Sequence, residues 1–147
     1  MNETVGSILG RKGRKVWSVA PEAKIYDALA LMAAKGVGAV LVVSEGRLIG
    51  IASERDYARK VILQGRSSKD TQVREIMTGD LITVTPESTV DECMRLMTHH
   101  RVRHLPVIEE GELVGIVSIG DLVNAIIADQ AQTIQYLQTY IGSNYPA

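Results

Sequence analysis

Two Ser-x-x-Asp motifs in this chain follow matched apolar stretches. Ser53-Glu54-Arg55-Asp56 and Ser118-Ile119-Gly120-Asp121 each set a hydroxyl three residues ahead of a carboxylate. Each follows a matched apolar stretch, Gly50-Ile51-Ala52 in one case and Gly115-Ile116-Val117 in the other. The branched residues before the serine and the helix formers after it put the motif where a strand turns into a helix. At such a junction the first N–H groups of the helix lack partners and carry partial positive charge, which suits a phosphate, and the serine hydroxyl adds a donor. The carboxylate can accept both hydrogens of a ribose diol. The same four residues also spell a capping box that binds nothing. On the residues alone the two readings stand side by side.

Other candidates carry less. Arg11-Lys12-Gly13-Arg14-Lys15 is a short basic run. It reads as a solvated arm, or as a source of cations, Lys12 above all, for a ligand phosphate. Trp17 suits a core as well as the flat face of a base. His99, His100 and His104 have no cysteine or carboxylate at a ligand spacing, so no metal is expected, and His104 is better suited to a phosphate. There is no G-x-x-x-x-G-K-[ST] loop, no strand-linked G-x-G-x-x-G and no nucleophile beside a base, so no catalysis is expected. Cys93 falls on an apolar stripe and reads as a small core residue rather than a reactive thiol.

The elements that position these residues are written twice. Val16 to Ile62 and Leu81 to Ile127 align without a gap, every matched pair standing 65 positions apart as Pro21 and Pro86 do. In each copy a short extended segment (Val16 to Val19; Leu81 to Val84) stops near a proline. Apolar residues then recur at Ile25, Ala28, Leu29 and Met32, and at Val90, Cys93, Met94 and Met97, the spacing of one helix face. Ser88 with Asp91, or Thr89 with Glu92, offers a cap in the second copy; Ala23 and Lys24 should cap the first less well. Two branched runs follow, Ala39 to Val43 with Leu48 to Ala52, and Leu105 to Ile108 with Leu113 to Val117. Each pair is joined by four polar residues that include a glycine, as in a hairpin. Helices are predicted from about Glu54 and Ile119, and Gln64 to Thr71 reads as a surface linker. After the second copy Ile134, Leu137 and Ile141 continue at helical spacing with Tyr136 and Tyr140 alongside, a helix that docks on its own chain or on a second subunit.

Composition narrows the function classes. The 147 residues are 46% hydrophobic, a globular balance. Sixteen basic and seventeen acidic residues nearly cancel, and with sparse aromatics this speaks against a nucleic-acid binder. A single cysteine excludes an internal disulfide and suits a reducing compartment. The opening residues lack a basic cluster ahead of an apolar stretch, and no apolar run reaches the roughly 20 residues of a membrane span. A cytoplasmic location is expected.

The proline-led helices, Arg103-His104-Leu105-Pro106-Val107, the Gly-Ile-x-Ser-x-x-Asp endings, Met77-Thr78 ahead of the second copy, and the duplication itself together resemble the CBS (cystathionine β-synthase) family. The resemblance covers about Val16 to Ile127 and is to the paired arrangement called a Bateman module. It implies an α/β fold of two β-α-β-β-α repeats with pseudo-two-fold symmetry, and nucleotide sites that are composite. One site would hold Ser118, Gly120 and Asp121 with Arg103 and His104, while Lys15, Val16, Trp17 and Ser18 close over the base and Lys12 reaches a phosphate. The other would hold Ser53, Arg55 and Asp56 with Gly38, Ala39 and the Leu81-Ile82-Thr83 strand. Arg55 stands where the second copy has Gly120, so the sites should differ. The resemblance also implies homodimers.

The expected organisation is an arm (1–15), repeat 1 (16–62), a linker and lead-in (63–80), repeat 2 (81–127), and a C-terminal helix and tail (128–147). The expected function is a non-catalytic regulatory module that binds AMP, ATP or NAD and signals to an effector protein. Its rivals are a dimeric interaction scaffold with degenerate sites and an enzyme or nucleic-acid binder that uses the basic arm.

Overall fold

In both repeats the two branched runs pair as antiparallel hairpins, and helices cover them. The computed structural model describes residues 3–144, with side chains to Thr139 and for Ile141. The side chain of Tyr140, expected alongside the C-terminal stripe, lies outside those described. In chain order the elements are α1 (Val5–Lys12), β1 (Ser18–Val19), α2 (Ile25–Lys35), β2 (Ala39–Ser44), β3 (Arg47–Ser53), α3 (Glu54–Lys60), α4 (Val90–His100), β4 (His104–Glu109), β5 (Glu112–Ser118) and α5 (Ile119–Asn144). A 3-10 turn at Val73–Glu75 precedes the second repeat. The chain folds as two units: Lys15–Ile82 form one, and residues up to Arg14 join those from Thr83 onward to form the other. Among the described residues no helix is long and apolar enough to cross a membrane.

In the Lys15–Ile82 unit β1 runs parallel to β2, and β2 pairs antiparallel with β3. The hairpin turn is two residues, Glu45 and Gly46, both at positive φ (51° and 76°), and its counterpart Glu110-Gly111 repeats it at 51° and 78°. Two residues of this kind reverse the chain with the twist the strands need. Ile25, Ala28 and Met32 of α2 are buried against Val40, Val42 and Ala52 of the hairpin, with Leu29 half-buried. Lys24 makes no side-chain cap at the start of α2, whereas Thr89 accepts from Glu92 N at the start of α4, as the sequences suggest.

The other unit repeats this plan with one departure. The expected opening strand at Leu81 to Val84 does not form; only Val84 makes a bridge, to Val107. A single residue explains this. In the first copy Leu41 N donates to Trp17 O at 2.9 Å, while the residue matching Leu41 is Pro106. Proline has no N–H, so Ile82, the counterpart of Trp17, receives no such bond.

The ends of the repeats extend further than their internal alignment indicates. Where composition suggests an arm over 1–15, α1 forms, capped by Thr4, with Val5, Ile8 and Leu9 buried. Val5 N donates to Ser88 O and Gly6 N to Pro86 O, both at 2.8 Å. In the Lys15–Ile82 unit, Val73 N donates to Ala23 O at 2.8 Å and Arg74 N to Pro21 O at 3.0 Å. The two lead-in segments are thus equivalent, Val5 to Leu9 matching Val73 to Met77 at a spacing of 68. Each packs on the repeat it does not immediately precede. The glycines Gly115 and Gly50 make room: a Cβ at Gly115 would sit 2.8 Å from Leu9 Cδ2, and one at Gly50 would sit 2.6 Å from Met77 Sδ.

Cys93 is fully buried on α4, and burial, with a smaller push from Glu92, raises its thiol to about 11 from an ordinary value of 9.0. The unfolded thiol therefore loses its proton first as pH rises, and the folded state is progressively disfavoured between about 9 and 11. Stability should fall across that window by no more than about 1.4 kcal/mol per pH unit. Urea melts from pH 8 to 10.5 should show this extra slope in the natural chain and lose it in Cys93→Ala. An identical slope in the two proteins would contradict the assignment.

Candidate functional site

Each unit brings together its own Ser-x-x-Asp motif and the residues just before its hairpin. In the Lys15–Ile82 unit Ser53 ends β3 in extended backbone and caps α3. Asp56 Oδ2 accepts from Ser53 N at 2.9 Å and from Ser53 Oγ at 3.0 Å, and Asp56 N donates to Ser53 Oγ at 3.2 Å. Lys60, one turn on, lies 3.5 Å from Asp56 Oδ1 and donates to Ile76 O at 3.0 Å. Ala39 is the strand partner of Ser53, and Glu54 N donates to Gly38 O at 3.0 Å. Arg55 is half-buried in the first turn of α3. Beside them lies an open hollow of ≈ 430 Å³ lined by α2, by Gly36, Val37 and Gly38, and by Glu54.

The other unit repeats the cap and changes its surroundings. Asp121 Oδ2 accepts from Ser118 N at 2.8 Å, and Asp121 N donates to Ser118 Oγ at 3.2 Å. His104 is the strand partner of Ser118, and Ile119 N donates to Arg103 O at 2.8 Å. Gly120 has only Ser118 Oγ near the place a Cβ would take, at 3.6 Å, so this end of the site is open. Lys12 comes in from the end of α1. Its Nζ lies 2.7 Å from Asp121 Oδ2 and donates to Ile116 O at 3.0 Å. Of the basic run, then, Arg11 pairs with Glu3 and Lys12 with the carboxylate expected to hold a ribose.

The remaining expected residues are placed as follows. Lys15 to Ser18 belong to the unit that carries Asp56. Trp17 is half-buried against the core of that unit, with the Lys15 and Lys35 ammonium groups 4.7 and 4.5 Å from its ring centroid. Two cations on one indole hold it by cation–π attraction. Leu81, Ile82 and Thr83 are irregular, with Thr83 exposed. His99 and His100 meet edge to face at 4.8 Å, and among the described residues no three His, Cys, Asp or Glu side chains gather to hold a metal ion. The Lys12–Asp121 contact is not visible in the sequence, because the two residues are far apart in the chain and nothing in their spacing links them. The hollow beside Gly38 is equally hidden, since Leu29 and Met32 read as ordinary core residues.

The family pattern of the CBS domain matches residues 5–62 and 73–128. The chain belongs to the CBS domain family. The two matched spans open on the equivalent lead-in segments at Val5 and Val73, so each CBS span includes its lead-in. The chain is 43% identical to the mitochondrial CBS domain-containing protein CBSX3 of Arabidopsis thaliana over 97% of this chain and 73% of the relative. It is 38% identical to the CBS domain-containing protein YhcV of Bacillus subtilis over 74% and 76%. Among solved structures, a protein with CBS domains from Burkholderia ambifaria superposes with a TM-score of 0.84 at 55% identity, covering 86% of this chain and 96% of that one. The chain is therefore a tandem CBS pair, and its α/β architecture is that of the family.

Proposed function

We propose that this CBS pair is a regulatory module without turnover that binds an adenine nucleotide (AMP, ATP or NAD) and passes the event to a partner protein. The observation that carries the reading is the duplicated strand-to-helix junction. Each unit sets a serine hydroxyl, a carboxylate and a helix N-terminus within one turn of each other, beside Gly38-Ala39 in one unit and Arg103-His104 in the other. That set offers two acceptors to a diol and donors to a phosphate. The further contacts from Lys15 to Ser18 and from Leu81 to Thr83 rest on the family resemblance. One protein of this fold, the CBS domain pair of MJ0100, was solved with 5′-methylthioadenosine and S-adenosyl-L-methionine; at 24% identity it speaks for the fold alone.

Lys12 gives binding a way to be felt. A diol that takes Asp121 competes with the Lys12 ammonium, and Lys12 closes the last turn of α1. Displaced, it is available to a phosphate, and α1 loses one tie to its unit. The partner would read that change.

One observation favours a second reading. Both carboxylates already complete capping boxes, as they would in a scaffold that binds no nucleotide. Thermal melting separates the two. Adenine nucleotides should raise the midpoint, by about 5 °C at ten times Kd, since binding only the native state adds about 1.4 kcal/mol there. Guanine and cytosine nucleotides should leave it unchanged. A flat series at millimolar concentrations would favour the scaffold.

A further inference from the structure

Helix α5 continues well past the unit that starts it. Leu122 and Ala125 are buried, yet the helix runs for 26 residues to Asn144, about 39 Å at 1.5 Å per residue. Every described side chain from Ile127 to Ile141 is exposed, so this stretch does not dock on its own unit.

The exposed stretch carries a seven-residue repeat. Ile127, Ile134 and Ile141 stand seven apart, and so do Val123, Gln130 and Leu137. At 100° per residue all six fall in a sector roughly 80° wide, about a third of a turn from Leu122 and Ala125. Five of the six are apolar, and Ile127, Ile134, Leu137 and Ile141 are each more than half exposed. No Asp, Glu, Lys or Arg follows Asp129. A helix lying on a membrane surface needs Lys or Arg on its polar face, and this one has none there. A charged partner would find no counter-charge. The surface that complements a neutral heptad seam is another copy of it. Ile127, Ile134 and Ile141 take one heptad position and Val123, Gln130 and Leu137 the other; β-branched residues at the first with leucine at the second favour two parallel strands, and a single polar residue in the seam fixes their register.

We propose that two copies of this chain pair through α5 as a parallel, in-register, two-stranded coiled coil along Val123 to Ile141. The seam spans under three heptads, short for isolated helices. Here β5 and α4 already hold the first turns, so the helix is formed before it meets its partner. The inference is independent of nucleotide binding.

Cysteine cross-linking without nucleotide tests it in the full chain, where Cys93 is buried and raised in pKa. Leu137→Cys and Ile141→Cys should each give a disulfide-linked dimer under mild oxidation. Gln132→Cys, half a turn from the seam, should give less than about a tenth as much. Because both seam positions lie toward one end, an antiparallel pair would not join like to like. In sedimentation, Ile134→Glu with Leu137→Glu should weaken the dimer at least tenfold. Absence of cross-links at 137 and 141, equal cross-linking at 132, or an unchanged dissociation constant would overturn the pairing.

Discussion

Leu9→Ala should lower the stability of the unit that contains residues 83–144 by about 2–5 kcal/mol, the cost of removing a large buried side chain and leaving a cavity. Leu9 is 1% exposed. Its methyls lie where a Cβ on Gly115 would meet them at 2.8 and 2.9 Å. Gly115→Val should therefore also destabilise, by about 1–3 kcal/mol, through overpacking at the same contact. The two sites touch, so they should not add. Leu9→Ala opens the space that Gly115→Val fills, and the double variant should be more stable than the sum of the single losses implies. Urea denaturation of the four proteins measures this. A solvated arm predicts a loss within about 0.5 kcal/mol for Leu9→Ala, and that result would remove α1 from the core.

The second large effect concerns affinity. Asp121→Ala and Asp56→Ala should each weaken one nucleotide-binding event by about 1–3 kcal/mol, roughly 5- to 150-fold, for loss of a charge-assisted acceptor. Each also breaks a capping box and should cost about 1 kcal/mol of stability, so affinity and stability are measured separately. The two should be unequal. Each is capped by its own serine, but Asp56 also meets Lys60 one turn away on its own helix, whereas Asp121 meets Lys12 from another helix. Arg55 stands beside Asp56 where Gly120 stands beside Asp121, an extra fixed charge that should favour ligands with more phosphate. Arg55→Gly should then bring the Asp56 site closer to its counterpart in its preference between AMP and ATP. Two identical, independent sites in the natural chain would contradict this account, as would unchanged affinity in both aspartate variants.

Most of the fold was legible because the repeat aligns pattern with punctuation. Apolar stripes gave α2 and α4, glycine-containing polar joints gave both hairpins, and the Ser-x-x-Asp motifs marked the starts of α3 and α5 to the residue. The absence of the expected strand at Leu81 to Val84 turns on a backbone donor. Pro106 fits the apolar pattern of β4 and hides the missing N–H from any reading of side-chain character. The lead-in helix was hidden differently. Val5, Ile8 and Leu9 have helical spacing, and so do Val73, Ile76 and Met77, but they match at 68 rather than 65, so an alignment without gaps passes over them. The site's residue types were visible, since hydroxyl and carboxylate chemistry is local. The Lys12 contact is tertiary and was not.

The most direct test of the central claim is calorimetric titration of the full natural chain with AMP, ATP, NAD and GMP, with the nucleotide recovered afterwards and checked for conversion. Saturable heat is expected for at least one adenine nucleotide, none for GMP, and the ligand should return chemically intact. No saturable heat with any adenine nucleotide at millimolar concentration, or recovery of a converted product, would contradict that claim.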